Sequence, residues 1–194
     1  MLMESKVSGF SLVELIVAIG ILAGMLALVA PSMSDWVAAS RTRNVAEALQ
    51  DGLLKAQVEA LKSNTSITFW LVTSPGNSAP PDKTCLSSAS SGSWVIGAEK
   101  PDGRCQDFHS NYGMTAIDGL SIRALASDGT DATSVGFNGY GQVASSGKPI
   151  SRIDLVHTNS SVRKLSIEVL AGGGVHMCDR DVKVPAGDPR ACVL

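Results

Sequence analysis

The sequence has little net charge: 16 Lys and Arg stand against 18 Asp and Glu, or −2. From Thr65 onward, 11 basic residues face 12 acidic ones, or −1. A phosphate-binding surface needs clustered excess positive charge, so neither total marks a polyanion as a general partner. Histidine is scarce too, with only His109, His157 and His176. There is no nucleophile elbow, P-loop, dinucleotide fingerprint or metal motif. Gly172-Gly173-Gly174 reads as a turn or bulge rather than a phosphate cradle. The reading is therefore no enzyme, no catalytic residue, no cofactor and no metal. No internal repeat or second globular domain is visible either.

What is present begins at the amino terminus. The run from Phe10 to Ala30 carries one charge, Glu14. About 20 apolar residues span ~30 Å of hydrocarbon as a helix. A carboxylate at the centre of such a helix costs roughly 2.5–3.5 kcal/mol, less near the interface, and is functional by default. A cleaved signal peptide, with Lys6 as its basic region and Ala30 closing its apolar one, is the competing reading. Its usual apolar region is only ~7–15 residues and has no use for an acid. Lys6 and Glu4 precede the run, while Arg41 and Arg43 follow it, so the positive-inside count leaves orientation undecided. Gly20 and Gly24 stand at GxxxG spacing, which suits close helix packing in lipid. Pro31 removes a backbone donor, so the helix is expected either to kink or loosen there or to end at Ala30.

Gly9-Phe10-Ser11-Leu12-Val13-Glu14 with its apolar run resembles the amino terminus of type IV pilins and the pseudopilins of type II secretion. The resemblance implies cleavage after Gly9 by a prepilin peptidase and N-methylation of Phe10. It implies that Glu14 pairs with the amino terminus of a neighbouring subunit during assembly. It also places the leader in the cytoplasm, the helix in the inner membrane and the remainder in the periplasm, before entry into a pilus or pseudopilus.

Beyond Pro31 the pattern remains helical. Val45, Leu49, Leu53, Ala56 and Ala60 recur at spacings of three and four and mark one buried face, which Trp36 and Val37 could open. Asp51 and Lys55 stand at i,i+4 in the favoured order. Asn64 can cap the end, before the β-branched run from Thr65. One helix from about Ser11 to Lys62 would be roughly 78 Å long. Ala56-Gln57-Val58-Glu59-Ala60 partly matches the "ARSEA" stretch of the GspH/FimT branch, with Gln57 and Val58 where Arg and Ser are usual.

Residues 65–194 read as a β-rich head of about 130 residues, enough for one core. Expected strands are Ser66–Val72, Ser93–Gly97, Gly119–Ala124, Ser134–Phe137, Ile153–His157, Val162–Leu170 and Gly174–Cys178. Pro75 to Ser93 reads as a long loop. Asn138-Gly139-Tyr140-Gly141 is a turn between two strands. The string from Val135 to Val143, and Trp94 in its Ser-Trp-Val setting, are similar to the GspH/FimT head. All four cysteines, Cys85, Cys105, Cys178 and Cys192, lie here. An even count in an oxidising compartment argues for disulfides, with three pairings open. Cys85–Cys105 and Cys178–Cys192 are preferred because each closes a local loop, at ~3 kcal/mol of chain entropy apiece. The tail from Cys178 to Cys192 also resembles the stapled tails of minor pilins in this branch. A metal reading of His176 and Cys178, with His109 or Cys105, matches no zinc template.

The expected architecture is thus α+β and type IV pilin-like: leader 1–9, transmembrane helix 10–30, amphipathic continuation 31–64, head 65–194. The resemblance implies a minor pilin, with the prepilin peptidase, other minor pilins and the major pilin as partners. An H-type pseudopilin of type II secretion is the alternative. DNA capture, known in some of this branch through an arginine-rich carboxy-terminal motif, is not favoured. The equivalent stretch here, Gly173-Gly174-Val175-His176-Met177-Cys178, has no arginine.

Overall fold

A computed structural model describes residues 10–193 apart from 77–78, 109, 115, 145–146, 182–183 and 186, with 26–32 described by backbone alone. The leader, including Gly9, lies outside the described residues, as does His109. The chain divides into two compact units, Met1–Val37 and Ala38–Leu194. One helix, α1 (Leu12–Ser63), contributes to both.

In the first unit α1 opens with Leu15 N–H donating to the Ser11 carbonyl. Leu12, Val13, Leu15, Ile16, Val17, Ile19, Ile21, Leu22 and Met25 are all exposed. At 3.6 residues per turn these positions reach every side of the helix. Among the described residues no helix is long and apolar enough to cross a membrane. The expected span, residues 10–30, includes 26–30, where only the backbone is described. The helix continues through position 31 and does not stop at Ala30.

In the second unit the remainder of α1 buries Val45, Leu49, Leu53, Ala56 and Ala60, the stripe that the spacing predicts, and Ala46 beside it. Trp36 and Val37 do not extend that stripe, for both are exposed. The buried face begins at Thr42, whose hydroxyl donates to the Ala38 carbonyl four residues back. The helix ends as Asn64 turns to φ 50°, a left-handed conformation that asparagine tolerates at helix ends.

Among the described residues eight strands follow: β1 (Ile67–Leu71), β2 (Trp94–Gly97), β3 (Ser110–Tyr112), β4 (Leu120–Leu125), β5 (Ser134–Phe137), β6 (Arg152–His157), β7 (Leu165–Val169) and β8 (Val175–Asp179). They form two four-stranded sheets, ordered β3-β2-β1-β5 and β4-β6-β7-β8. All neighbours are antiparallel. Phe69, Leu71, Trp94, Ile96, Val135 and Phe137 from the first sheet meet Ile122, Ala124, Ile153, Leu155, Ile167 and Val169 from the second in one core with the helix stripe. Small helix residues bring the first sheet close. A Cβ on Gly52 would lie 2.6 Å from the Trp94 ring and 2.8 Å from Phe69.

Three expectations need correction. Strand β3 is absent from the sequence reading, because Ser-Asn-Tyr shows no apolar alternation; pairing with β2 holds it in place. Val162–Leu170 contracts to Leu165–Val169, since Val162 N–H closes a turn onto the Asn159 carbonyl. The turn at 138–141 does not join two strands. Val143 makes a single bridge to Phe137, then gives its N–H to the Ala171 carbonyl. The 138–141 turn is instead built against the 170–174 turn. Gln57 Nε2 donates to the carbonyls of Gly141 (2.7 Å) and Gly173 (2.9 Å). Gly173, at φ 91°, leaves no room for a side chain, since its Cβ would lie 1.9 Å from the Gly141 oxygen.

Candidate functional site

The amino-terminal group of expected residues lies along the start of α1. Phe10 precedes the helix and is 84% exposed, and Glu14 occupies the first helical turn, also exposed. An acid in a first turn is favoured by the helix dipole and its unpaired N–H groups, so Glu14 does not hinder the helix start. Gly20 and Gly24 have no atom near enough to crowd an added Cβ. Those surfaces are therefore open in the single chain.

The four cysteines are joined as Cys85–Cys105 and Cys178–Cys192. The first bridge gathers a small core with Val72, Val95, Trp70 and Phe108 under the long loop. Asp102 ties the same loop. Its carboxylate accepts from the Ser87 N–H and hydroxyl and pairs with Lys100 at 2.7 Å. Burial pushes the Asp102 carboxyl up, but the Lys100 and Ser87 hydrogen bonds outweigh it and hold the group below its ordinary value.

The second bridge belongs to a polar site that follows from strand alternation. On β6, β7 and β8 one set of side chains faces the core. The other set includes Arg152, Asp154, Ser166, Glu168, His176 and Cys178. Register places Asp154 opposite Ser166 and Ser166 opposite Cys178, with Arg152 opposite Glu168 and Glu168 opposite His176. The carboxy-terminal segment lies over this set. Asp179 N–H donates to the Arg190 carbonyl at 2.6 Å, and Asp179 bridges Ala191 in parallel. Cys192 is fixed to Cys178. Val193 N–H donates to both oxygens of Glu168, each at 3.0 Å.

Glu168 is fully buried, and His176 Nε2 stands 3.1 Å from its Oε2. Asp154 accepts from the Ser166 hydroxyl and pairs with Arg152 and Arg180. A buried carboxylate is costly unless it is paired and hydrogen-bonded, and these partners supply what is needed. At the tail's turn, Arg190 binds Asp188 through side chain and backbone and lowers its carboxyl to about 2. A shallow cleft of about 210 Å³ lies between Arg163, Asp179, Asp181, Val184 and Arg190. Its lining mixes signs, and Arg163 lies 3.8 Å from Asp179.

The cysteines were visible in the sequence. Glu168, Asp154 and Arg180 carry no such signal singly, because an isolated charge in or beside an apolar strand reads like a solvated one. The available signal was polar residues at alternate positions, 152 and 154, 166 and 168, 176 and 178, on three strands in a row.

A helix with an all-round apolar start, leading into a helix-packed head of two antiparallel sheets, is a type IV pilin-like fold. The chain belongs to the family described as type II transport protein GspH, whose model matches residues 45–173. Among solved structures it is similar to the type IV minor pilin FimU of Pseudomonas aeruginosa (strain PAO1), seen in two crystal forms. One match has 12% identity and a TM-score of 0.49, covering 71% of this chain and 88% of that one. The other has 12% identity and a TM-score of 0.42, covering 70% and 90%. No curated protein sequence matches the chain.

Proposed function

We propose that this protein is a minor pilin of a type IV pilus. A prepilin peptidase cleaves after Gly9, the Phe10 amine is methylated, and residues 10–30 anchor the chain in the inner membrane with the head in the periplasm. The processed chain then joins other minor pilins and the major pilin in the filament or its initiation complex, and Pro31 provides a bend near the end of the anchor. One observation carries the reading. The described apolar side chains from Phe10 to Met25 are exposed around the helix, with a single acid, Glu14, in its first turn. A helix apolar on all sides is a buried element. Its cover must come from lipid before assembly and from neighbouring helices afterwards. Pairing of Glu14 with a neighbour's amino terminus offsets the acid's desolvation and sets the axial register between subunits.

The family's own description favours a second reading, an H-type pseudopilin of type II secretion. The two separate by location. Filaments sheared from the cell surface and analysed by mass spectrometry would contain head peptides and an N-methylated Phe10 if the protein is a pilus subunit. Processed protein retained in the envelope of piliated cells would overturn that assignment and favour the pseudopilus. DNA capture gains no support from the tail, whose Arg180 and Arg190 are engaged by Asp154 and Asp188.

A further inference from the structure

We infer that the thiol form of the tail is a metal site of the zinc class, formed by Glu168, His176, Cys178 and Cys192. One ligand atom each from Glu168, Cys178 and Cys192 lie within 4.8 Å of one another, and His176 Nε2 is 3.1 Å from Glu168 Oε2. Tetrahedral zinc, with bonds of ~2.0 Å to N or O and ~2.3 Å to S, separates its ligands by roughly 3.3–3.8 Å. His176 and Cys178 project from the same face of β8 at i,i+2, and Glu168 faces His176 across the ladder. Glu168 and Cys178 are therefore placed by the sheet, and His176, outside the group whose ligand atoms lie within 4.8 Å of one another, joins them by rotation of its half-exposed imidazole. The fourth, Cys192, rides on the tail outside any strand, so its sulfur can retreat from 2.05 Å to metal-ligand spacing by movement of the tail alone. Two thiolates, one carboxylate and a neutral imidazole around a divalent ion leave one net negative charge. Arg152, opposite Glu168, brings a positive charge to the same row.

The chemistry balances without a reductant, because the chain is synthesised with thiols. The metal displaces one proton from each of Cys178 and Cys192, and both pass to solvent. A disulfide donor later accepts two electrons by thiol–disulfide exchange and leaves as a dithiol after taking up two protons. Cys178 and Cys192 then bridge, and the metal departs. Metal and disulfide are thus alternative clamps on the same tail. Cys85–Cys105 is an internal control, since among the described residues it joins no such donor group.

The test is a cobalt titration of the full chain in detergent micelles, kept reduced by a phosphine that does not itself offer thiols. One equivalent of Co²⁺ should bind with intense thiolate-to-metal absorption and tetrahedral visible bands, and Zn²⁺ should displace it. The signal should survive Cys85→Ser with Cys105→Ser. His176→Ala removes a partner of buried Glu168, so its fold is checked by circular dichroism, and it should weaken binding by about ten- to hundredfold, the loss that even supporting residues of metal sites produce. Glu168→Gln should weaken it similarly. Absence of the thiolate band would overturn the proposal. So would equal binding by the disulfide form, a band that survives Cys178→Ser with Cys192→Ser, or affinity unchanged in both His176→Ala and Glu168→Gln.

Discussion

Trp94 Nε1 donates to the Ala48 carbonyl at 3.1 Å, so the first sheet is bonded directly to the helix that it covers. The indole also stacks on Tyr112, with ring centroids 6.0 Å apart, and tilts against Phe69 at 5.8 Å. Gly52 sits beneath it. This contact sets how closely helix and sheet approach. Gly52→Leu should overpack it and cost about 1–3 kcal/mol. Trp94→Phe keeps most of the volume and loses the hydrogen bond, for about 1 kcal/mol. Trp94→Ala should cost about 3–5 kcal/mol. Urea unfolding followed by circular dichroism would order the three. A Gly52→Leu chain as stable as the parent would mean that the contact yields more readily than its geometry implies.

The tail should depend on Glu168 in a graded way. Val193 N–H and His176 both lean on its carboxylate, and removing one partner of a buried polar pair costs about 1–3 kcal/mol. Glu168→Ala should therefore loosen residues beyond Asp179 while Cys178–Cys192 still tethers them. Limited proteolysis should nick the variant within the tail. The fragment should leave the chain only after reduction, which a mass measurement would read. Equal resistance of variant and parent would show that the disulfide alone holds the tail.

The buried stripe from Val45 to Ala60 was legible because helix period and core contact coincide there. Most strands were legible because β-branched runs are cut by Gly, Asn and Asp. The local disulfide pairs agree with loop closure. What escaped the sequence depended on lateral neighbours. Ser110–Tyr112 becomes a strand only because β2 offers it an edge. Glu168 becomes a buried clamp only because Val193 returns to it across 25 positions. The 138–141 turn gave its glycine signal but not its partner, since Gln57 reaches it from a helix 84 residues earlier.

Acid should weaken the head in a defined window. Thr84 hydrogen bonds lower the Asp82 carboxyl. The Lys148 and Thr130 bonds hold Asp128 well below the usual carboxylate range. Asp188 falls to about 2 through Arg190. A folded-state pKa below the unfolded one adds stability that is complete above the unfolded value, 3.8 for these groups. It is lost as pH falls toward the folded one. The thermal midpoint should hold steady above about pH 5 and fall from about pH 4 downward. Asp188→Asn should flatten the part of the fall between pH 3.8 and about 2. An unchanged slope in that variant would place the acid sensitivity elsewhere.

Glu14 separates anchoring from assembly. Within lipid the acid is a liability, at roughly 2.5–3.5 kcal/mol if central and less near the interface, so Glu14→Ala should insert at least as well as the parent. Within a filament the same acid would meet the amino terminus of the next subunit, where its charge is compensated and its position fixed. Loss of the carboxylate then removes axial register while leaving the apolar contacts. The expected outcome is normal membrane fractionation and normal processing after Gly9, with head peptides strongly depleted from sheared filaments. Glu14→Asp keeps the charge on a shorter arm and should recover part of that incorporation. Filament levels of Glu14→Ala equal to the parent would show that the apolar helix alone sets the register. The acid's place in the first turn would then reflect only the favourable field of the helix amino terminus.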